Sequence, residues 1–228
     1  MSNYDALLRS YGPSAWWKLD DPVGSTSVRD WSGNGYTGIV NGGVTFGQPG
    51  PMAGAPQDTG ALFDGTSGHI ATAYQPDFTV CSALAWYKTT TDTGNLDILD
   101  TGAVSNSAGI ALELRNGEFT PRVNGNYYNP EPFDSADGNW HFVVMTYDGN
   151  TVRGYRDGSE VVSYALTGTI ASAYAALLGS TVGLDWFPGA IAQVAVFPYA
   201  LSAAQVAALW SPPSLVSGGS GFPKLVGR

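Results

Sequence analysis

Residues 140–166 run WHFVVMTYDGNTVRGYRDGSEVVSYAL, three β-rich segments separated by two turn signals. Trp140 to Tyr147 is rich in β-formers and stops at Asp148-Gly149-Asn150. Thr151 to Arg156 follows, and Asp157-Gly158 turns the chain into Glu160 to Leu166. Asp-Gly between two β runs is a strong hairpin signal, because the tight turn needs positive φ, which Gly adopts freely and Asp tolerates. Alternation across Val152 to Arg156 is imperfect, so it assigns no faces.

The same grammar extends in both directions. Upstream, Ala61–Asp64 and His69–Thr72 read as strands joined by the hairpin loop Gly65-Thr66-Ser67-Gly68. Thr79–Lys88 carries few charges and is long enough for a central strand. Leu96–Thr101 and Ala108–Arg115 read as two more. Downstream, Leu177–Leu184 and Ala190–Phe197 are late strands, the second ended by Pro198. Near the start, Tyr4–Ser10 suits a short helical turn and Ala15–Asp20 an aromatic strand. Trp16, Trp17, Trp86 and Trp140 fall on strands, with at least half expected to point inward. Ser202-Ala203-Ala204-Gln205 is a capping box, and Leu201, Val206, Leu209 and Trp210 give the helix behind it one apolar face. Pro212-Pro213 stops that helix. The expectation is a dozen or more strands, one closing helix and no second domain. Residues 1–210 form the domain, and 211–228 are a Pro/Gly/Ser-rich arm.

Composition agrees and excludes partners. Charged residues are 13% of the chain, against about 25% in an average soluble domain, and glycine numbers 30 of 228. Such a profile suits short strands and tight turns rather than a helical bundle. Ten basic against nineteen acidic residues leave a formal charge of −9. The basic residues are scattered, so there is no footprint for nucleic acid or for an anionic membrane. No apolar run reaches the ~18 residues of a membrane-spanning helix. Cys81 stands alone, which excludes an intrachain disulfide and thiolate metal sites and suits a small core residue.

Five segments, in order, resemble the laminin-G-like, or concanavalin-A-like, family. They are Gly12–Asp20 as the first strand, Asp30-Trp31-Ser32-Gly33-Asn34-Gly35-Tyr36 as a D-x-S-G-N-G loop, and Ala61–Gly65 as the F-D-G turn. The others are Trp140–Gly149 with Tyr155–Gly158 as the hairpin series, and Gly189–Phe197 with Ala200–Ser202 as the last strand and closing helix. The resemblance implies an all-β, two-sheet antiparallel jelly-roll sandwich with one short C-terminal helix. Fold alone does not give function.

Glycoside hydrolysis needs two carboxylates flanking the bond. No E-x-D-x-x-E strand, the pattern of glucanases of this fold, is present. The nearest run is Leu96-Asp97-Ile98-Leu99-Asp100, whose carboxylates at i and i+3 strand alternation sends to opposite faces. With two histidines and no Gly-x-Ser-x-Gly elbow, the chain is expected not to be an enzyme. In the family the Asp30 loop often binds Ca²⁺ with an acidic residue of the last strand. Here Asp30 and Asn34 are candidate ligands, but that strand reads Ile191-Ala192-Gln193-Val194 and lacks the acid. The alternative is that Asp30 and Asn34 cap their own loop.

Sugar rings stack apolar CH faces on aromatics, so the loop residues Tyr127, Tyr128, Trp186, Trp31 and Tyr36 are candidate saccharide contacts. Domains of this family usually work outside cells, whereas no secretion signal is recognisable after Met1. A bacteriophage virion surface reconciles the two, with an extracellular setting as the alternative. The expectation is a decoration or minor tail protein within a symmetric assembly that binds host-surface glycan. A purely structural cementing subunit or a secreted carbohydrate-binding module is the alternative. Phe222, Leu225 and Val226 would anchor the arm on neighbouring virion proteins.

Overall fold

Runs of β-formers become strands, and the Gly/Asp/Asn clusters become the turns between them. The computed structural model describes residues 2–52, 58–102, 108–127 and 136–211. The chain opens with α1 (Asn3–Ser10), β1 (Ala15–Trp17), β2 (Ser27–Val28), β3 (Gly38–Asn41) and β4 (Val44–Pro49). It continues through β5 (Thr59–Asp64), β6 (His69–Ala71), β7 (Cys81–Lys88), β8 (Asn95–Asp100), β9 (Ile110–Arg115) and β10 (Glu118–Val123). It ends with β11 (His141–Tyr147), β12 (Thr151–Arg156), β13 (Ser159–Ala165), β14 (Leu177–Leu178), β15 (Pro188–Phe197) and α2 (Ala203–Trp210). Tyr128, Phe222, Leu225 and Val226 lie outside the described residues.

The strands form two antiparallel sheets. One has eight strands in the order β13-β12-β11-β7-β15-β5-β4, with β1 beside β15. The other has seven, in the order β10-β9-β8-β14-β6-β3-β2. Trp17, Phe63, Tyr87, Met145 and Ile191 from the first meet Ile98, Leu112, Leu114, Phe119 and Leu178 from the second in one core. This is the expected jelly-roll sandwich. Burial pushes the Cys81 thiol in that core up to about 12.

A second apolar cluster lies on the far side of the eight-stranded sheet. Tyr4 and Leu8 of α1 and Val206 and Leu209 of α2 cover Trp16, Leu84, Trp86 and Phe142 there. Hence β7 and β11 read as nearly unbroken apolar runs: both of their faces are buried. Hence also a correction. Of the four tryptophans assigned to strands, Trp17 alone joins the inter-sheet core. Trp16 and Trp86 point the other way, under the helices, and Trp140 precedes β11.

Local chemistry fixes the ends. Asp157 and Gly158 have φ of 49° and 81°, the tight hairpin turn expected between β12 and β13. Trp210 of α2 rests directly on Gly158, where an added Cβ would come within 2.9 Å of its Cδ1. Ser202 Oγ accepts from the Gln205 backbone N–H (3.3 Å), and Gln205 Oε1 accepts from the Ser202 N–H (2.9 Å), the expected capping box. Several elements differ from expectation: β2, β3 and β4 form where no strand was expected. The Leu177–Leu184 strand shrinks to Leu177–Leu178, because Thr181 and Leu184 close a tight turn on each other. β10 was not expected, since Pro121 interrupts its pattern; as an edge strand it tolerates the missing N–H.

Candidate functional site on the outer face of the seven-stranded sheet

On β8 and β9, alternation turns Leu96, Leu112 and Leu114 inward and leaves Glu113 and Arg115 on the face away from the core. Asp97 pairs with Glu113, and Asp100 with Ala111, across a bulge between Asp97 and Leu99. The extra residue shifts the alternation, so both aspartates share the outer face. The expectation that they lie on opposite faces is therefore corrected.

Arg122 of β10 gathers them. Its Nε donates to Glu113 Oε2 at 3.0 Å and its Nη2 to Asp100 Oδ2 at 3.1 Å. Asp97 Oδ1 is 4.0 Å from Nη2, beyond hydrogen-bond reach. Arg115 forms an ion pair with the other Glu113 oxygen. Asp97 is sealed from solvent (0% exposed), and among the described residues neither of its carboxyl oxygens has a hydrogen-bond donor. Burial first, then the charges of Asp100 and Glu113, push its pKa well above the usual carboxylate range against the pull of Arg122. The sequence signal for this cluster is a carboxylate in the middle of each of two apolar runs, Asp97 in β8 and Glu113 in β9; β10, interrupted by Thr120 and Pro121, gives none for Arg122.

The aromatic candidates flank these charges. The Arg115 guanidinium carbon lies 3.8 Å from the centre of the Tyr127 ring, and Tyr127 is 42% exposed. On the other side, the Asp97 N–H donates to the Asp185 carbonyl at 2.9 Å. Burial raises the Asp185 pKa, while Arg115 and Arg122 oppose it. Trp186 follows and its ring lies 5.6 Å from that of His69 on β6. Register continues across the sheet from Ile39 to Ala71, Leu177, Asp100, Ala111 and Arg122. The face thus has an apolar half toward Ile39 and a half toward Arg122 whose charges, Asp97, Asp100, Glu113 and Arg122, are buried.

The profile of the concanavalin A-like lectin/glucanases superfamily matches residues 64–207. The chain belongs to that superfamily. No curated protein matches it by sequence. Among solved structures it is similar to domain 4 of AbnA, a GH43 extracellular arabinanase from Geobacillus stearothermophilus, solved in complex with arabinotriose. That pair shares 20% identity at a TM-score of 0.66, covering 86% of this chain and 97% of the other. The botulinum neurotoxin serotype G binding domain is 15% identical with a TM-score of 0.65, covering 87% of this chain and 50% of that one. The binding domain of Paraclostridial Mosquitocidal Protein 1 is 14% identical at a TM-score of 0.65, covering 89% and 52%. This chain therefore spans about half the length of the toxin binding domains it matches. At these identities the likeness is one of fold.

In this concanavalin A-like domain the Asp30 loop is closed by its own hydrogen bonds. Asp30 Oδ1 accepts from the backbone N–H of Trp16 (3.1 Å) and Ser32 (2.9 Å). Oδ2 accepts from Ser32 Oγ (2.8 Å) and the Tyr36 N–H (2.9 Å). Asn34 Nδ2 donates to the Ser14 carbonyl at 2.9 Å, and Gln193 Oε1 accepts from the Trp16 indole N–H at 3.0 Å. With these oxygens committed to N–H and O–H donors, the residues do not fit a calcium site. No cluster of three or more His, Cys, Asp or Glu with metal-binding geometry exists among the described residues. The loop's aromatics are committed as well. Lys18 Nζ lies 4.6 Å and the Arg29 guanidinium 4.1 Å from the Trp31 ring centre. Tyr36 meets Tyr74 edge-on at 4.9 Å against the inter-sheet core. The structure brings Tyr127 and Trp186 to one face and leaves Trp31 and Tyr36 apart, packed around the Asp30 loop.

Proposed function

We propose that this chain is a non-enzymatic, lectin-like module that binds saccharide on the outer face of the seven-stranded sheet. The observation that carries the reading is the placement of Tyr127 and Trp186 at the flanks of a polar strip built by Arg115, Asp185 and His69. Aromatic faces take the CH surfaces of a sugar, and fixed polar groups take its hydroxyls. The arabinanase domain solved with arabinotriose has the same fold, which supports the class of ligand.

The non-enzymatic part is supported by how the carboxylates are used. Glu113 and Asp100 are tied to Arg122, and Asp97 is sealed from solvent. None is free to flank a glycosidic bond as hydrolysis requires. The reading needs no calcium, since Asp30 and Gln193 are already engaged.

A glycan array with the full chain tests it. Binding is expected to a subset of glycans, to survive a chelator, and to be lost on Tyr127→Ala and on Trp186→Ala with unchanged unfolding midpoints. Absence of binding, or binding indifferent to both substitutions, would overturn the proposal. The finer setting, a bacteriophage decoration or minor tail subunit, rests on the sequence resemblance. Recovery of the chain in purified particles tests that setting.

A further inference from the structure

The opposite sheet carries a groove that the Tyr127–Trp186 face does not include. α1 and α2 cover one part of the outer face of the eight-stranded sheet. Beyond them, toward β4 and the start of β15, the face is open and forms a cavity of about 620 Å³. Its floor exists because the outward position there, Ala190 on β15 beside Leu62, is small. Gly60 of β5 adds to this: a Cβ on it would come within 3.3 Å of Trp140 Cη2, so the indole sits down against bare backbone. Trp140 and Leu62, the latter 42% exposed, give the cavity apolar surfaces. Gln48 and Lys88 supply an amide and an ammonium.

Lys88 is the telling residue. Lys18, Arg115, Arg122, Arg153 and Arg156 have carboxylate partners, and Arg9 and Arg29 lie over tryptophan rings. Among the described basic side chains, Lys88 has neither kind of partner. In a chain with a formal charge of −9, an unpaired cation therefore stands at the mouth of a cavity of ligand size. Trp140 beside it is firmly placed. The next residue, His141, bonds through Nδ1 to Asp157 Oδ2 at 2.8 Å and through Nε2 to Asp137 Oδ1 at 3.1 Å.

We propose that this groove is a second saccharide site, specific for a carboxylated sugar residue: Lys88 pairs with the carboxylate, Trp140 and Leu62 take the CH face, and Gln48 takes a hydroxyl. Charge complementarity selects the acidic sugar, because a neutral one leaves the ammonium without a counter-charge. The site is independent of Tyr127 and Trp186.

The test titrates the full chain with trigalacturonate and, in parallel, with neutral arabinotriose, by calorimetry. Trigalacturonate is expected to bind, more weakly as ionic strength rises. Lys88→Ala should weaken it about tenfold or more, while Lys88→Arg retains it. Leu62→Asp, an exposed position that need not disturb the core, should weaken it as well. Tyr127→Ala and Trp186→Ala should leave it unchanged. No trigalacturonate binding, equal binding of the neutral trimer in the groove, or indifference to Lys88→Ala would overturn the inference. Loss on Tyr127→Ala or Trp186→Ala instead would move the acid to the other face; it would overturn the groove and leave the proposed function standing.

Discussion

Asp97 holds a carboxyl group that is sealed from solvent and has no hydrogen-bond donor among the described residues. A desolvated charge there is costly, so the group favours its neutral form. Its folded pKa is raised above the unfolded value of about 3.9, and the folded state therefore binds the proton more tightly. The sign follows: stability is highest below the unfolded pKa and is lost as pH climbs toward the folded pKa. Asp97→Asn keeps the shape of the neutral acid and removes the titration. Its unfolding midpoint should match the wild type at about pH 4 and exceed it at about pH 8, by a margin worth about 1–3 kcal/mol. Thermal melts at the two pH values check this; an equal offset at both would show that the carboxyl does not titrate in that window.

At the scale of elements, the segment before β11 is clamped rather than merely connected. His141 lies between Asp157, in the β12–β13 turn, and Asp137, two residues before Asn139. Its hydrogen bond to Asp157, more than burial opposes it, raises the imidazole pKa, and Asp137 is held down at about 2, first by the side chain of Asn139. A raised histidine contributes stability that is fully present below its unfolded pKa of about 6.5 and is lost as pH rises through the folded value. His141→Ala should therefore destabilise more at about pH 6 than at about pH 9, read from denaturant midpoints. Equal losses at both would mean that the ring contributes by its shape alone. The clamp also positions Trp140, so the groove's indole should be best ordered on the acidic side of that transition.

The whole molecule is closed by contacts between its ends. β1, at residues 15–17, pairs with β15 at residues 194–196, and α1 and α2 share the cluster on the eight-stranded sheet. β15 also joins β5 and β7, so one late strand ties three distant segments into the sheet. Such pairings require a long loop to close before any contact forms, which slows folding. Refolding after dilution from denaturant should take milliseconds to seconds or longer. Tryptophan fluorescence and far-ultraviolet circular dichroism should give coincident equilibrium transitions, because both apolar clusters share the strands of one sheet. Separate transitions would mean that the helix-covered layer melts independently of the sandwich.

The residues themselves determined the hairpins, the capping box before α2 and the all-β class, because turn chemistry and β-propensity act over a few neighbours. Asp157-Gly158 needs nothing distant to make its turn, nor does Ser202 to cap its helix. The ordered motifs carried the sandwich as well. Direction was another matter. Trp16 and Trp86 face the helices rather than the core because α1 and α2 supply a second apolar layer; the pattern of α2 announces its apolar face but not which strands that face covers. Asp97 and Asp100 share a face because one bulge shifts the alternation, and a bulge is set by pairing with β9. The site depends on the same non-local choices. Arg122 finds its carboxylates across three strands, Tyr127 folds onto Arg115, and Lys88 is left unpaired beside Trp140 only once both sheets are assembled. Sequence sets what each short segment prefers; which side chains are covered, paired or left open is decided by the layers that meet over them.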